Sequence, residues 1–406
     1  MEQLRVAMLS VHSCPQGKLG SRDTGGMNVY VRELACELGC RGHSVDIYTR
    51  AHQPGENQTI GLCDRVRIIH LELGETGEMH KLVLYAHLAD AACAVESFRR
   101  QEGRNYDLIH SHYWLSTWVG NILQSWWHVP HLTMFHTLAA AKNSAGIGEE
   151  ESDLRLVTEK EVAGRPDRII AATAGERELL AELCDAERGR ISVIPGGVNL
   201  ALFSPIARDQ ARRKLGLDHG KIILCVGRLE PLKGLHRLFE AFATLGGAAD
   251  LKLIVAGGDG DGDPELKSLE HYSRELGIHD SVSFAGPVPQ ELLPVYYCSA
   301  DVCVIPSYYE SFGLVALESL ACGTPVIAAR VGGMPDIVLN GRTGYLVEGT
   351  TSADFARAIR LFLANSHKQL PPAYIRASVS KFGWPAIADA ITEEYYASLR
   401  VRKPPR

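Results

Sequence analysis

With 406 residues, 46% of them hydrophobic and 22% charged, the chain can bury two hydrophobic cores, since a single core stops growing at roughly 250 to 300 residues. A formal net charge of −6 at pH 7 gives no overall attraction to nucleic acid or anionic lipid, so an anionic ligand has to be met by local charge. Ten cysteines show no Cys-x-x-Cys spacing and include Cys225 and Cys303 in apolar runs, which reads as free thiols in a reducing, cytoplasmic compartment.

The N-terminal run from Met1 to Val6 enters a strand-like pattern at once, without the basic-then-apolar layout of a secretion signal. Short apolar or β-branched runs then alternate with helical stretches. They are Leu4–Leu9, Ser44–Tyr48, Val66–Leu71, Leu108–His110, Leu132–Phe135, Arg168–Ala172 and Ile191–Ile194. This alternation predicts a parallel sheet. Between His110 and Ala141 there is no Asp, Glu, Lys or Arg, long enough to span a membrane. His128-Val129-Pro130-His131 divides it into an apolar helix and a buried strand instead.

A Pro/Gly cluster, Pro195-Gly196-Gly197-Val198-Asn199, breaks both periodicities and marks a domain boundary. Beyond it, Ile222–Val226, Leu251–Ala256, Val282–Phe284, Val302–Ile305 and Pro325–Ala328 read as a second parallel sheet. The expected architecture is α/β, with a Rossmann-like first domain over residues 1–197 and a Rossmann-like second domain over 198–383, facing a central cleft. The helical segment Trp384–Leu399 is expected to cross back to the first domain, and the tail from Arg400 to Arg406 to fray. Two such domains gather strand ends and helix N-termini around one anionic ligand.

Three strand-end loops carry most of the chemistry. Asp23-Thr24-Gly25-Gly26-Met27-Asn28 precedes a helix, and paired glycines there either bring backbone N–H groups to a phosphate or simply make a tight turn. Gly227-Arg228-Leu229-Glu230-Pro231-Leu232-Lys233 follows a strand and can set two cations on a diphosphate, unless it is a solvated basic turn. Ser307-Tyr308-Tyr309-Glu310-Ser311-Phe312-Gly313-Leu314-Val315-Ala316-Leu317-Glu318 places two carboxylates eight residues apart. With a helix starting near Ser311 or Phe312, Glu310 lies at its mouth and Glu318 about two turns in, while the N–H groups of Phe312, Gly313 and Leu314 meet a phosphate.

The set Gly25-Gly26, Gly227-Arg228 with Lys233, and Glu310-Ser311-Phe312-Gly313-Leu314 to Glu318 resembles the retaining family-4 glycosyltransferases of GT-B architecture, over nearly the whole chain. The resemblance implies that Arg228 and Lys233 hold the donor diphosphate, Glu310 and His136 contact the transferred sugar, and Glu318 contacts the nucleotide ribose. Gly26, Ser311, Phe312, Gly313 and Leu314 complete the donor site.

A narrower likeness rests on Met27-Asn28, the run His110 to Ser116, the run His136 to Ser144, and Glu151-Ser152 leading to Arg155. These residues resemble the D-inositol-3-phosphate glycosyltransferases of mycothiol synthesis, which use UDP-N-acetylglucosamine. Lys81, Tyr113, Thr137 and Arg155 would then clamp the acceptor phosphate and Asn28 the acceptor ring. Two cations and two hydroxyls suit a phosphate dianion, although each residue taken singly also fits a surface charge, a core aromatic or a strand end. Glu230 stands where relatives often have Gln, and Asn199 where many have Asp.

The resemblance implies transfer with retention, the leaving diphosphate taking the acceptor proton, with a UDP-sugar as co-substrate and no cofactor or metal. His136, Arg228, Lys233 and Glu310 form the implied catalytic set, while His110 and His112 are read as structural supports. Domain closure about the Pro195–Asn199 linker is expected, and a homodimer is implied by the resemblance alone. A sucrose-phosphate-synthase-like enzyme acting on fructose 6-phosphate is the alternative within the class, its relatives carrying Gly-Gly-Gln at Gly25-Gly26-Met27. A nicotinamide oxidoreductase would need a glycine fingerprint that is missing. A non-catalytic sugar-nucleotide binder would be expected to have lost part of the Arg228, Lys233 and Glu310 set.

Overall fold

The computed structural model describes residues 2–17, 24–53, 55–75, 77, 79–217, 220–246, 250–260, 262–365 and 370–402. The first sheet contains β1 (Arg5–Leu9), β2 (Ser44–Arg50), β3 (Thr59–Cys63), β4 (Val66–Leu71), β5 (Leu108–His112), β6 (His131–Met134), β7 (Arg168–Ala171) and β8 (Ile191–Val193). The second contains β9 (Lys221–Val226), β10 (Leu251–Ala256), β11 (Val282–Gly286), β12 (Val302–Ile305), β13 (Val326–Ala329) and β14 (Gly344–Val347). Their orders are β3-β4-β2-β1-β5-β6-β7-β8 and β11-β10-β9-β12-β13-β14. Every pairing is parallel except β3 with β4. This is the pair of α/β, doubly wound domains expected from the alternating runs, in the GT-B arrangement that the resemblance implies.

The central strands are buried along their length, β5 and β12 completely, because helices cover both faces of a parallel sheet. The uncharged stretch after His110 resolves into the helix Trp114–Trp127 and β6, with His128 in the left-handed region (φ 55°) ending the helix. No helix among the described residues is long and apolar enough to cross a membrane.

The helix Trp384–Arg402 packs against the helix Gly26–Cys40 of the first sheet's layer. Trp384 meets the Tyr30 ring edge-on at 5.3 Å between centroids. A Cβ on Gly197 would sit 2.5 Å from the Trp384 indole, and one on Gly196 would sit 2.7 Å from the Phe312 ring. The linker backbone is thus wedged between aromatic groups that only glycine admits. Residues 403–406, which carry the rest of the expected frayed tail, lie outside the described residues.

The thiol reading needs correction. Cys36 and Cys63 form a disulfide, with their Cα atoms 5.9 Å apart, inside the range such a bridge requires. It joins the helix Gly26–Cys40 to β3, a strand the alternation of apolar runs did not reveal, and 27 residues of sequence hide the proximity. Cys225 and Cys303 are free and buried.

Candidate active site

In a doubly wound sheet the ligand crevice opens where strand order reverses, at the carboxyl ends. That point falls between β1 and β5 in the first sheet and between β9 and β12 in the second. The two crevices face each other across one cleft of about 310 Å³. Every site residue named from the sequence lines it, from Gly26 and Asn28 to Leu314 and Glu318.

On the second-domain wall, β9 runs into Gly227 and Arg228, and the turn Pro231–Lys233 follows. Arg228 donates from Nη2 to Glu230 Oε1 at 2.9 Å, and Lys233 from Nζ to Glu310 Oε2 at 2.8 Å. Ser307 Oγ also donates to Glu310 Oε2, at 3.3 Å. The helix after Glu310 starts later than expected: it spans Leu314–Ala321, with Gly313 as its N-cap at φ 112°. The left-handed backbone at Gly313 is what delays it, and a Cβ there would approach Met334 Cε to 2.4 Å.

Glu310 therefore sits on the loop before the helix, and Glu318 one turn inside it rather than two. The helix's positive end still opens at Gly313 and Leu314, where an anion is favoured. Burial raises the Glu318 carboxyl to about 7, against a hydrogen bond donated by Tyr297 Oη at 2.8 Å.

On the first-domain wall, Tyr113 follows β5 and His136 lies two residues beyond β6, and both hold positive φ, 79° and 62°. Such backbone costs about 1–3 kcal/mol per residue and persists where the surroundings fix it, a frequent property of ligand sites. Arg155 places its guanidinium carbon 4.8 Å from the Tyr113 ring centroid, and Lys81 Nζ lies 5.8 Å from the same ring. Arg155 Nη2 donates to Thr137 Oγ1 at 3.0 Å. Lys81, Tyr113, Thr137 and Arg155, spread over 75 positions of sequence, thus meet at one ring.

Arg155 is also bound by Glu151 at 2.7 Å and Glu159 at 2.6 Å. Burial by itself would lower its pKa, but Tyr113, Glu159 and Glu151 hold it above the ordinary arginine value. Lys142 bonds to Glu151 from the other side.

Asn28 is occupied already: Nδ2 donates to Ser13 Oγ at 2.6 Å and to the Cys14 carbonyl at 2.8 Å, and Oδ1 accepts from the Gly25 N–H at 3.0 Å. It staples the loop after β1 to the helix start, and a ligand would use the remaining Oδ1 lone pair. A Cβ on Gly26 would lie 3.3 Å from Leu314 Cδ1, and one on Gly25 3.7 Å from Arg228 Nε. Gly25, at φ −159°, is outside the left-handed region, so the glycine pair serves the close approach of the opposite wall more than the turn.

His136 is partly buried, and its pKa falls to about 3, mainly through desolvation, so the ring is neutral. Its Nε2 lies 3.0 Å from His112 Nδ1. The sequence reading passed over His12, Thr24, Tyr30 and Lys142, which also line the cleft. His12 stacks on Tyr113 at 4.3 Å, and its position just past β1, at the switch point, was the available signal.

Among the described residues no group of three His, Cys, Asp or Glu side chains is placed to hold a metal ion. The sequence does hold one Asp-x-Asp run that the reading missed, Asp259-Gly260-Asp261-Gly262-Asp263. Asp263 caps the helix Pro264–Glu275, accepting from the Glu265 N–H at 2.9 Å and the Asp259 N–H at 3.1 Å, and Asp261 lies outside the described residues.

Comparison with known proteins matches residues 25–197 to the glycosyl transferase 4-like domain and residues 207–377 to the glycosyl transferases group 1. The D-inositol 3-phosphate glycosyltransferase of Corynebacterium jeikeium is 40% identical over 97% of this chain and 96% of its own length. That of Mycolicibacterium smegmatis is 40% identical over 98% of this chain and 93% of its own. Among solved structures, the sucrose-phosphate synthase of Thermosynechococcus elongatus superimposes with a TM-score of 0.91 at 33% identity, covering 98% of this chain and 100% of that one. The chain belongs to the family-4 glycosyltransferases of GT-B architecture, and it is similar along nearly its whole length to the D-inositol 3-phosphate glycosyltransferases named above.

Proposed function

We propose that this glycosyltransferase moves N-acetylglucosamine from UDP-N-acetylglucosamine to 1D-myo-inositol 3-phosphate, with retention of anomeric configuration. The observation that carries the reading is the convergence of Lys81, Tyr113, Thr137 and Arg155 on one side of the cleft, opposite Arg228 and Lys233. Two cations with two hydroxyls on the first wall match a phosphate monoester, and two cations beside a helix N-terminus on the second match a diphosphate.

In this mechanism the diphosphate leaves as Arg228, Lys233 and the helix start at Gly313 stabilise its growing charge. It takes the proton of the attacking hydroxyl on the face it departs from, so no enzymic nucleophile is needed. Glu310, tethered to Lys233 and Ser307, orients the sugar and Lys233 together, and Glu318 meets the ribose. Protein cations and helix end supply the charge that a metal would, so turnover is expected to survive EDTA.

The structural likeness to a sucrose-phosphate synthase supports a second reading, transfer to fructose 6-phosphate. Met27 speaks against it: this cleft residue packs on the apolar core and cannot make the hydrogen bonds of the glutamine found in those relatives.

The test is UDP release from UDP-N-acetylglucosamine and UDP-glucose against inositol 3-phosphate, fructose 6-phosphate and their unphosphorylated forms, with product anomers assigned by NMR. Turnover of N-acetylglucosamine onto inositol 3-phosphate alone is expected. Preference for fructose 6-phosphate would replace the acceptor, and an inverted product would remove the same-face mechanism.

A further inference from the structure

Behind His136 lies a buried line of rings that the transfer mechanism does not use. His110 and His112 alternate on one face of β5, two residues apart. Tyr395, from the helix Trp384–Arg402, places its hydroxyl 2.7 Å from His110 Nδ1. The His110 and His112 rings lie 4.3 Å apart, and His112 Nδ1 reaches His136 Nε2 at 3.0 Å. Tyr30 closes the cluster, edge-on to His136 at 5.1 Å and tilted to His112 at 5.7 Å.

Desolvation keeps all three imidazoles neutral, His110 and His136 at about 3 and His112 well below its ordinary value. A neutral imidazole carries one N–H, so the bond between His112 and His136 can run in either direction. If His136 donated, the His112 proton would sit on Nε2, which is buried and has no hydrogen-bond partner among the described residues. If His112 donates from Nδ1, its Nε2 is a bare acceptor. A buried orphan N–H is the rarer and costlier of the two.

We propose that His112 is a positioning residue: its Nδ1–H donates to His136 Nε2 and holds His136 in the Nδ1–H tautomer, so that His136 meets the transferred sugar as a hydrogen-bond donor. With Nε2 engaged, Nδ1 is the ring nitrogen left for a ligand, and it selects a sugar that presents an oxygen acceptor there. The proposal rests on the cleft being the sugar-transfer site, but the tautomer can be read without turnover.

The experiment combines two-bond 15N–1H spectra of the histidine-labelled full chain, near neutral pH, with steady-state kinetics of wild type, His112→Phe and His112→Asn. Wild type is expected to show His136 protonated on Nδ1. His112→Phe, which keeps the volume and removes the donor, should shift His136 toward Nε2–H and lower kcat roughly tenfold, about the value of one neutral hydrogen bond, with acceptor KM unchanged. His112→Asn, whose amide nitrogen can take the place of Nδ1, should restore both.

An Nε2–H tautomer in wild type would overturn the proposal. So would a fall in kcat for His112→Phe without a change of tautomer, or a change of tautomer without a fall in kcat. If no tested acceptor supports turnover, the spectra still decide the tautomer, which separates failure of this inference from failure of the functional reading.

Discussion

Arg228 and Lys233, on the second-domain wall, pair with Glu230 and Glu310 with side chains 37% and 23% exposed. Arg155, on the opposite wall, is 3% exposed and tied to Glu151, Glu159 and Thr137. Arg228 and Lys233 can exchange these partners for a ligand more readily, since both pairs keep some solvent exposure and fully exposed pairs contribute only about 0–1 kcal/mol. Arg155 cannot leave without stranding a buried carboxylate. One wall is poised to bind and release charge, and on the other Arg155 is part of a preformed frame that also holds the fold together.

That difference predicts opposite consequences for removing a cation. Lys233→Ala should lower kcat by about 10²–10³-fold, the loss typical of one preorganised donor to a developing anion, while thermal unfolding stays near wild type. A tenfold or smaller loss would show that Lys233 is a solvated turn residue. Arg155→Ala should instead destabilise the protein by about 3–5 kcal/mol, because Glu159 is left buried and unpaired, as denaturant unfolding would show.

Lys81→Ala separates binding from stability on the same wall. Its acceptor KM should rise about tenfold or more, as expected for a charged hydrogen bond, with the unfolding midpoint unchanged. Gly313→Ala probes the other wall's rigid point: left-handed backbone and the Met334 contact should cost about 1–3 kcal/mol, seen as a lower melting temperature and weaker UDP binding.

The smallest effect is in pH. The folded Glu318 carboxyl is raised by burial from its ordinary value of 4.5 to about 7, so protonation favours the native state. Its stabilising contribution is full below about pH 4.5 and is lost as pH rises through 7. A carboxylate that accepts ribose hydroxyls would strengthen UDP binding over the same rise. Glu318→Gln should flatten both trends, and unchanged profiles would remove Glu318 from the ribose site.

The same contrast explains what could be read from sequence. The second wall is written in short contiguous stretches, Gly227 to Lys233 and Ser307 to Glu318, so strand-end position and charge spacing were enough to find it. Only the helix start was misjudged, because Gly313 takes a left-handed turn that its neighbours in sequence do not announce. On the first wall, no local spacing links Lys81 to Arg155, and only resemblance brought them together. His12 was missed because a lone residue past a strand carries no pattern, and Tyr30 and Lys142 were given no role because they lie inside helices, where sequence alone does not mark the face that lines the cleft.

The sheets themselves were legible from uncharged runs between helices. β3, with its half-exposed residues, and the Cys36–Cys63 bridge beside it were not, since an edge strand lacks the apolar signature and a disulfide depends on distance in space. β14, the opposite edge strand of the second sheet, is only partly buried at Tyr345 and Leu346 and lacked that signature as well.

Whether the first-domain wall reads a phosphate, as proposed, is decided by the ratio of kcat/KM for inositol 3-phosphate over inositol, in wild type and in Lys81→Ala. The expected ratio is about 10² or more in wild type, from two or more charge-assisted contacts, falling about tenfold when Lys81 is removed. A wild-type ratio near one, or a ratio untouched by Lys81→Ala, would contradict it.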